Sequence, residues 1–116
     1  SFDIVTILGN LLENAFEACS ETREKDRKVE VALFEDDEVI EIQVRDNGKT
    51  ISSYLRNDIF KEGISSKSAG RGTGLYLVKN RVELYKGNIE IEEFENEKIF
   101  VVTIYKGENH DKSINS

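Results

Sequence analysis

The sequence predicts a two-layer α/β sandwich: a mixed, mostly antiparallel sheet with its helices on one face. Two stretches of helical periodicity and four strand-like runs carry that prediction, together with their order, α, ββ, short α, loop, α, ββ. No internal repeat is visible in the 116 residues.

The first helix is expected over residues 3–20. Ile4, Leu8, Leu11, Leu12, Ala15, Phe16 and Cys19 fall on one side of it at about 100° per residue. Asp3 stands where an N-cap would. The charged SETREKDRK that follows reads as a solvated connection. VEVALFE and VIEIQVRD are strand-like, and the acidic DDE between them suits a hairpin turn whose charges discourage edge pairing. Ser53–Phe60 reads as a short helix, and residues 61–73, polar and rich in Gly and Ser, as a mobile loop. Leu75, Val78, Val82 and Tyr85, spaced i, i+3, i+7, i+10, give the second long helix, with Gly87 placed to end it. NIEIEEF and KIFVVTIY complete the sheet, joined near Glu95–Glu97. Residues 1–106 are therefore expected as one domain and 107–116 as a loose tail.

Composition narrows the function. The chain is 38% hydrophobic and 34% charged, ordinary for a soluble globular protein. No apolar run approaches the roughly 18 residues of a membrane span, and no secretion signal opens the chain. The lone Cys19 has no internal disulfide partner, and no Cys/His cluster suits zinc, so a reducing, cytoplasmic compartment fits best. A net charge of −7 argues against nucleic acid or an anionic membrane as the main partner. It still admits a phosphate ligand, because local donors or a metal ion outweigh a distant net charge. The chain has no Met and starts at Ser1, which reads as a piece of a longer protein.

Four groups of residues carry chemistry. In GNLLENAFEA, Asn10 and Asn14 lie four apart, hence close together on the helix surface and away from the apolar stripe. They are either solvated asparagines or hard amide ligands for Mg²⁺. In VRDNGKTIS, Asp46 continues the parity of Ile40, Ile42 and Val44 and so points to the apolar side. A carboxylate there needs donors, supplied either by its own Asp-Asn-Gly turn or by an amino group such as the N6 of adenine. In DIFKEGISSKSAG, Ile59 and Phe60 stand at the edge of a loop that carries Lys61 and Lys67, with Arg71 just beyond. That loop is either a plain surface loop or a lid over an anion. In GRGTGLYLVKN, Gly70, Gly72 and Gly74 lead into a helix whose free N–H groups and dipole favour an anion. No buried strand precedes it, as a dinucleotide fold would require, and no Lys-Ser/Thr follows it, as a P-loop would require.

Together, in this order and over nearly the whole chain, these stretches resemble the ATP-binding domain of sensor histidine kinases. The superfamily also holds type II topoisomerases, mismatch-repair ATPases, heat-shock chaperones and anti-sigma-factor kinases. GNLLENAFEA looks like the asparagine box, DNGKTIS like the first glycine box, IFKEGISSK like the phenylalanine box and lid, and GRGTGLYLVKN like the second glycine box. The wording is especially similar to citrate and C4-dicarboxylate sensor kinases, with peptide quorum-sensing receptor kinases a nearby second choice. The resemblance implies a Bergerat-type fold with ATP and Mg²⁺ as ligands. It implies that Asn14 coordinates Mg²⁺ with Asn10 close by, and that Asp46 accepts from the adenine amino group. Gly48 would let the backbone pass near the base, and Phe60 would anchor the lid. Gly72, Thr73, Gly74 and Leu75 would present backbone to the phosphates, with Lys67 and Arg71 adding charge.

The sequence departs from the family pattern in ways that matter. Thr50 occupies the second glycine place of the first glycine box, so that loop is expected to be rerouted rather than to hold Thr at positive φ. A strand that usually precedes the first helix is expected to be missing. The hydrolytic relatives carry Glu four residues before the metal-binding Asn, where this chain has Asn10, which favours transfer of the γ-phosphate to a protein side chain over hydrolysis. The acceptor is expected to be a histidine on an upstream dimerisation domain of the same protein, because His110 sits in the tail. By the same resemblance a response regulator receives the phosphate, and the whole protein is a membrane-anchored homodimer with this part in the cytoplasm and not itself inserted. The rival readings are an anti-sigma-factor-like serine kinase and a non-catalytic nucleotide-binding interaction module.

Overall fold

The computed structural model describes residues 2–51, 58–61 and 74–106. The short helix expected at 53–60 falls mostly outside them, and so do the loop at 62–73 and the tail from 107. Helix α1 spans Phe2–Ala18, and a 3-10 turn at Glu24–Asp26 leads to β1 (Val29–Glu35) and β2 (Val39–Asp46). Helix α2 (Gly74–Leu84) then leads to β3 (Asn88–Glu93) and β4 (Lys98–Tyr105). The strands lie in the order β1-β2-β4-β3, and among the described residues all three pairings are antiparallel.

The register explains where the core sits. Ile42 lies opposite Val102 and Val44 opposite Phe100 on the two central strands, so Ile40, Ile42, Val44, Phe100, Val102 and Ile104 share one face. Ile7, Leu11 and Ala15 of α1 and Val78 and Val82 of α2 close over that face in a single buried cluster. Each fully buried aliphatic side chain contributes about 1.5–3 kcal/mol, which outweighs the modest helix propensity of the α2 sequence. The opposite face is held by charge: the Arg45 guanidinium lies 2.6 Å from Glu97 and 3.6 Å from Glu30, with the Phe94 ring 6.0 Å away. The hydrogen bond from Arg45 holds the Glu97 carboxyl below the ordinary carboxylate range.

The DDE turn forms as expected. The Asp36 carboxylate accepts the Glu38 and Val39 amides at 2.8 and 2.9 Å, and these bonds hold its pKa down. Asp3 behaves differently from its expected capping role. The helix already runs from Phe2, and Asp3 accepts the Tyr85 hydroxyl while the Arg81 Nε lies 3.3 Å from its other oxygen, an ion pair without hydrogen-bond alignment. The Asp3 side chain therefore ties α1 to the end of α2 and raises the Tyr85 pKa.

The end of α2 also corrects the sequence reading. The left-handed residue is Lys86, at φ 58°, not Gly87. The Lys86 amide donates to Glu83 and the Gly87 amide to Val82, both at 3.0 Å, the paired bonds of a Schellman ending with Lys86 in the usual glycine place. Gly87 is needed for another reason: a Cβ there would lie 1.9 Å from the Thr103 carbonyl oxygen of β4. Gly87→Ala should therefore destabilise the fold by about 1–3 kcal/mol or more. Lys86→Gly should stabilise it by up to about 1 kcal/mol, the left-handed penalty less the entropy of glycine. Urea unfolding of the two variants against the parent checks both signs.

Candidate functional site

Asp46 ends β2 and is 1% exposed, on the apolar side as its parity requires. Its Oδ1 accepts the Gly48 amide at 2.9 Å, which is the local Asp-Asn-Gly turn. The same oxygen accepts the Lys98 ammonium at 2.8 Å, and Lys98 also donates to the Lys49 carbonyl at 2.7 Å. Lys98 is itself only 3% exposed. The pair is compensated, since removing one partner of a buried ion pair costs about 3–5 kcal/mol. The second carboxylate oxygen, Oδ2, is buried and has no hydrogen-bond partner among the described residues. An unsatisfied buried acceptor costs about 1–3 kcal/mol, so Oδ2 is the open acceptor of this site among the described residues.

Lys98 was not among the residues singled out from the sequence, yet the signal was there. It opens KIFVVTIY with the parity of Phe100, Val102 and Ile104, so it shares their inward face. Its position opposite Asp46 in the β2–β4 register is a tertiary fact.

The loop after Asp46 is pressed on α1. The Lys49 amide donates to the Ala18 carbonyl at 2.8 Å, and a Cβ on Gly48 would lie 2.3 Å from that same oxygen. Glycine at 48 is thus required by the end of α1, whatever passes on the other side. Asn47 reaches back to the segment that leads into β1, its side chain accepting the Lys28 amide at 2.9 Å and donating to the Asp26 carbonyl at 2.8 Å. Thr50 escapes the strain that a glycine place would impose, because Lys86 is the one non-glycine residue at positive φ among those described.

The other end of the site lies halfway along α1. Asn10 donates its amide to the Thr6 carbonyl at 2.9 Å, one turn back, which fixes its rotamer and leaves Oδ1 without a hydrogen bond among the described residues. That Oδ1 is 3.4 Å from where a Cβ on Gly74 would be, so the asparagine face of α1 meets the first residue of α2. Asn14 is half-buried, and its side chain makes no hydrogen bond among the described residues. About 12 Å of helix separates Asn10 from Ala18. The arrangement suits an elongated ligand with a donor group at the Asp46 end and a charged group at the start of α2.

Phe60 packs edge to face on Phe100, ring centroids 6.5 Å apart, and Ile59 beside it is buried. The Lys79 ammonium lies 5.9 Å from the Phe60 ring, and Leu75 packs against the core. The segment's start is therefore fastened to the core, as its apolar pair suggested. Lys67, Arg71, Gly72 and Thr73 lie outside the described residues.

Residues 1–105 match the GHKL domain family, and the chain belongs to it. Among relatives, it is 42% identical over 91 residues to a probable C4-dicarboxylate sensor kinase of Halalkalibacterium halodurans, covering 78% of this chain and 17% of that protein. It is 40% identical over 107 residues to the sensor protein CitS of the same organism, covering 90% and 20%. Among solved structures it resembles a nucleotide-free catalytic domain of the histidine kinase ThkA, with TM-score 0.76 and 28% identity over 90% of this chain and 67% of that one. The chain thus spans a fifth or less of the length of these two sensor proteins. No helix among the described residues is long and apolar enough to cross a membrane.

Gly48→Ala should lift the Asp46–Lys49 loop from α1 and cost about 1–3 kcal/mol. Cys19, buried at the end of α1 with its Sγ 3.7 Å from the Asn47 side chain, is the reporter. Thiol labelling of the native protein should be faster in the variant than in the parent.

Proposed function

We propose that this domain binds Mg-ATP and passes the γ-phosphate to a histidine on a dimerisation domain of the same protein, within a two-component sensor kinase. The observation that carries the reading is the buried Oδ2 of Asp46, which has no partner among the described residues and is an acceptor suited to an amino group. The sensor-kinase relatives and the likeness to a histidine-kinase catalytic domain support it. So does Asn10, which cannot act as a base for water as a carboxylate in its place would.

In this reading Asp46 Oδ2 accepts from the exocyclic amine of adenine. The phosphates lie toward the start of α2, where the Gly74 and Leu75 amides and the positive end of the helix dipole favour negative charge. Asn14, with Asn10 beside it, offers hard amide oxygens to Mg²⁺; neither side chain oxygen is committed to another group among the described residues. Held by those asparagines, the ion would supply positive charge that offsets the phosphates. Gly72 and Thr73 would add backbone donors, and Lys67 and Arg71 positive charge. The response regulator takes the phosphate from the histidine, and the whole protein is a membrane-anchored homodimer with this domain in the cytoplasm.

Asn14→Ala should remove most of the Mg²⁺-dependent part of ATP affinity in calorimetry, while leaving Mg²⁺-free binding much less changed. Equal binding by parent and variant with Mg²⁺ present would end that role. Asp46→Asn should weaken ATP by roughly 10- to 150-fold, the worth of a charge-assisted hydrogen bond.

The chain alone should not label itself from γ-labelled ATP, because transfer needs the acceptor nitrogen held in line with the phosphate. Supplying the histidine-bearing helices of the same protein should restore labelling, and the product should be acid-labile and base-stable. Label that survives acid would point to a serine acceptor instead.

A further inference from the structure

The nucleotide reading leaves Lys98 without a task, although a buried ammonium at the floor of the site is costly to keep. Its Nζ donates to Asp46 Oδ1 and to the Lys49 carbonyl, so it is fixed between strand and loop. Asp46 Oδ1 is then doubly occupied, by Lys98 and by the Gly48 amide, and among the described residues Oδ2 alone is left for a ligand. The other side chains that share this face beside the pair are Val29, opposite Asp46 on β1, and Glu93, opposite Lys98 on β3. Lys98 is the cation hydrogen-bonded to the Asp46 carboxylate among the described residues.

We infer that Lys98 is the positioning residue that sets base specificity: with the Gly48 amide it occupies Oδ1 and fixes the carboxylate so that Oδ2, a bare acceptor, meets the base. This rests on the proposed nucleotide site. An ionised carboxylate accepts hydrogen bonds and donates none. It therefore welcomes a 6-amino purine and repels a 6-keto purine, whose oxygen is also an acceptor. Without the ammonium, Oδ1 loses its charged partner and the carboxylate is no longer held in one orientation. A carboxylate free to turn admits a water that donates both to it and to a keto oxygen, so the keto purine would no longer be refused. Inosine triphosphate is the suitable probe, since it differs from ATP at the 6-position without the extra 2-amino group of guanine.

The test compares ATP with inosine triphosphate by calorimetry on the parent and on Lys98→Gln, Lys98→Met and Lys98→Arg. The parent should prefer ATP by roughly 10- to 150-fold, the worth of one charge-assisted hydrogen bond. Lys98→Gln and Lys98→Met should bring the ratio near parity, and Lys98→Arg, which keeps the charge, should preserve it. A purely structural role would weaken both nucleotides together and leave the ratio alone. Lys98→Gln retains donors for Asp46 and Lys49, so the Gln and Arg variants decide the matter if Lys98→Met does not fold. A parent that binds ATP, with neutral variants that keep its full preference, overturns the inference alone. A parent that binds neither nucleotide overturns the proposed function and this inference with it.

Discussion

The ion pair between Asp46 and Lys98 joins the ends of the two central strands on the face where α1 and α2 pack. Neither group tolerates that position alone. An isolated buried charge costs far more than a hydrogen bond returns, so the two must be placed together and held. The β2–β4 register does this by setting Asp46 directly opposite Lys98. The loop completes it, because the Lys49 carbonyl and the Gly48 amide bond the same two side chains. The path of residues 46–49 is thus fixed by electrostatics at one end of the sheet. The Ala18 carbonyl that receives Lys49 then links this loop to α1.

Helix α1 is the spine along which the rest of the site is arranged. Its inward stripe, Ile7, Leu11, Ala15 and Cys19, is almost wholly buried and sets the rotation of the helix on the sheet. Once that rotation is set, Asn10 and Asn14 have no choice of direction. Asn10 is further held by its bond to the Thr6 carbonyl, which converts a mediocre helix former into an oriented one. The Asp3 bridge to Arg81 and Tyr85 fixes α2 relative to α1 and so holds Gly74 close to Asn10. A charged pair at each end of the helical layer therefore governs a site whose own residues are mostly uncharged.

Only the start of strand β1 is covered: Val29 packs against the core cluster, and the rest of the strand is poorly buried. Val31 and Leu33, on the core-facing side, and Phe34, on the other, remain about half exposed. Its side away from β2 is one of the two edges of the sheet among the described residues. Flanking acidic residues, Glu30, Glu35 and the DDE turn, surround these apolar side chains with negative charge, which opposes edge-to-edge association of identical chains. The same feature explains why VEVALFE is strand-forming yet poorly buried: its propensity is intrinsic, while burial depends on what the tertiary structure sets above it.

Strand boundaries, the two long helices, the acidic hairpin turn and the inward direction of Asp46 were all legible in the sequence, because each follows from a local period or a local turn. The four motif stretches placed the chain in its family for the same reason, since each is contiguous. What the sequence did not yield depends on residues far apart along the chain. Lys98 is separated from Asp46 by 52 positions, and Asp3 from Tyr85 by 82; only the register and the helix packing bring them into contact. Gly87 looked like a helix terminator because glycine often is one, but the left-handed turn fell to Lys86. The backbone of β4 at Thr103 leaves no room for a side chain at position 87. Periodicity can say which way a side chain points, whereas what it meets there is decided by the partner strand, and partner strands are chosen by the burial of the whole apolar face.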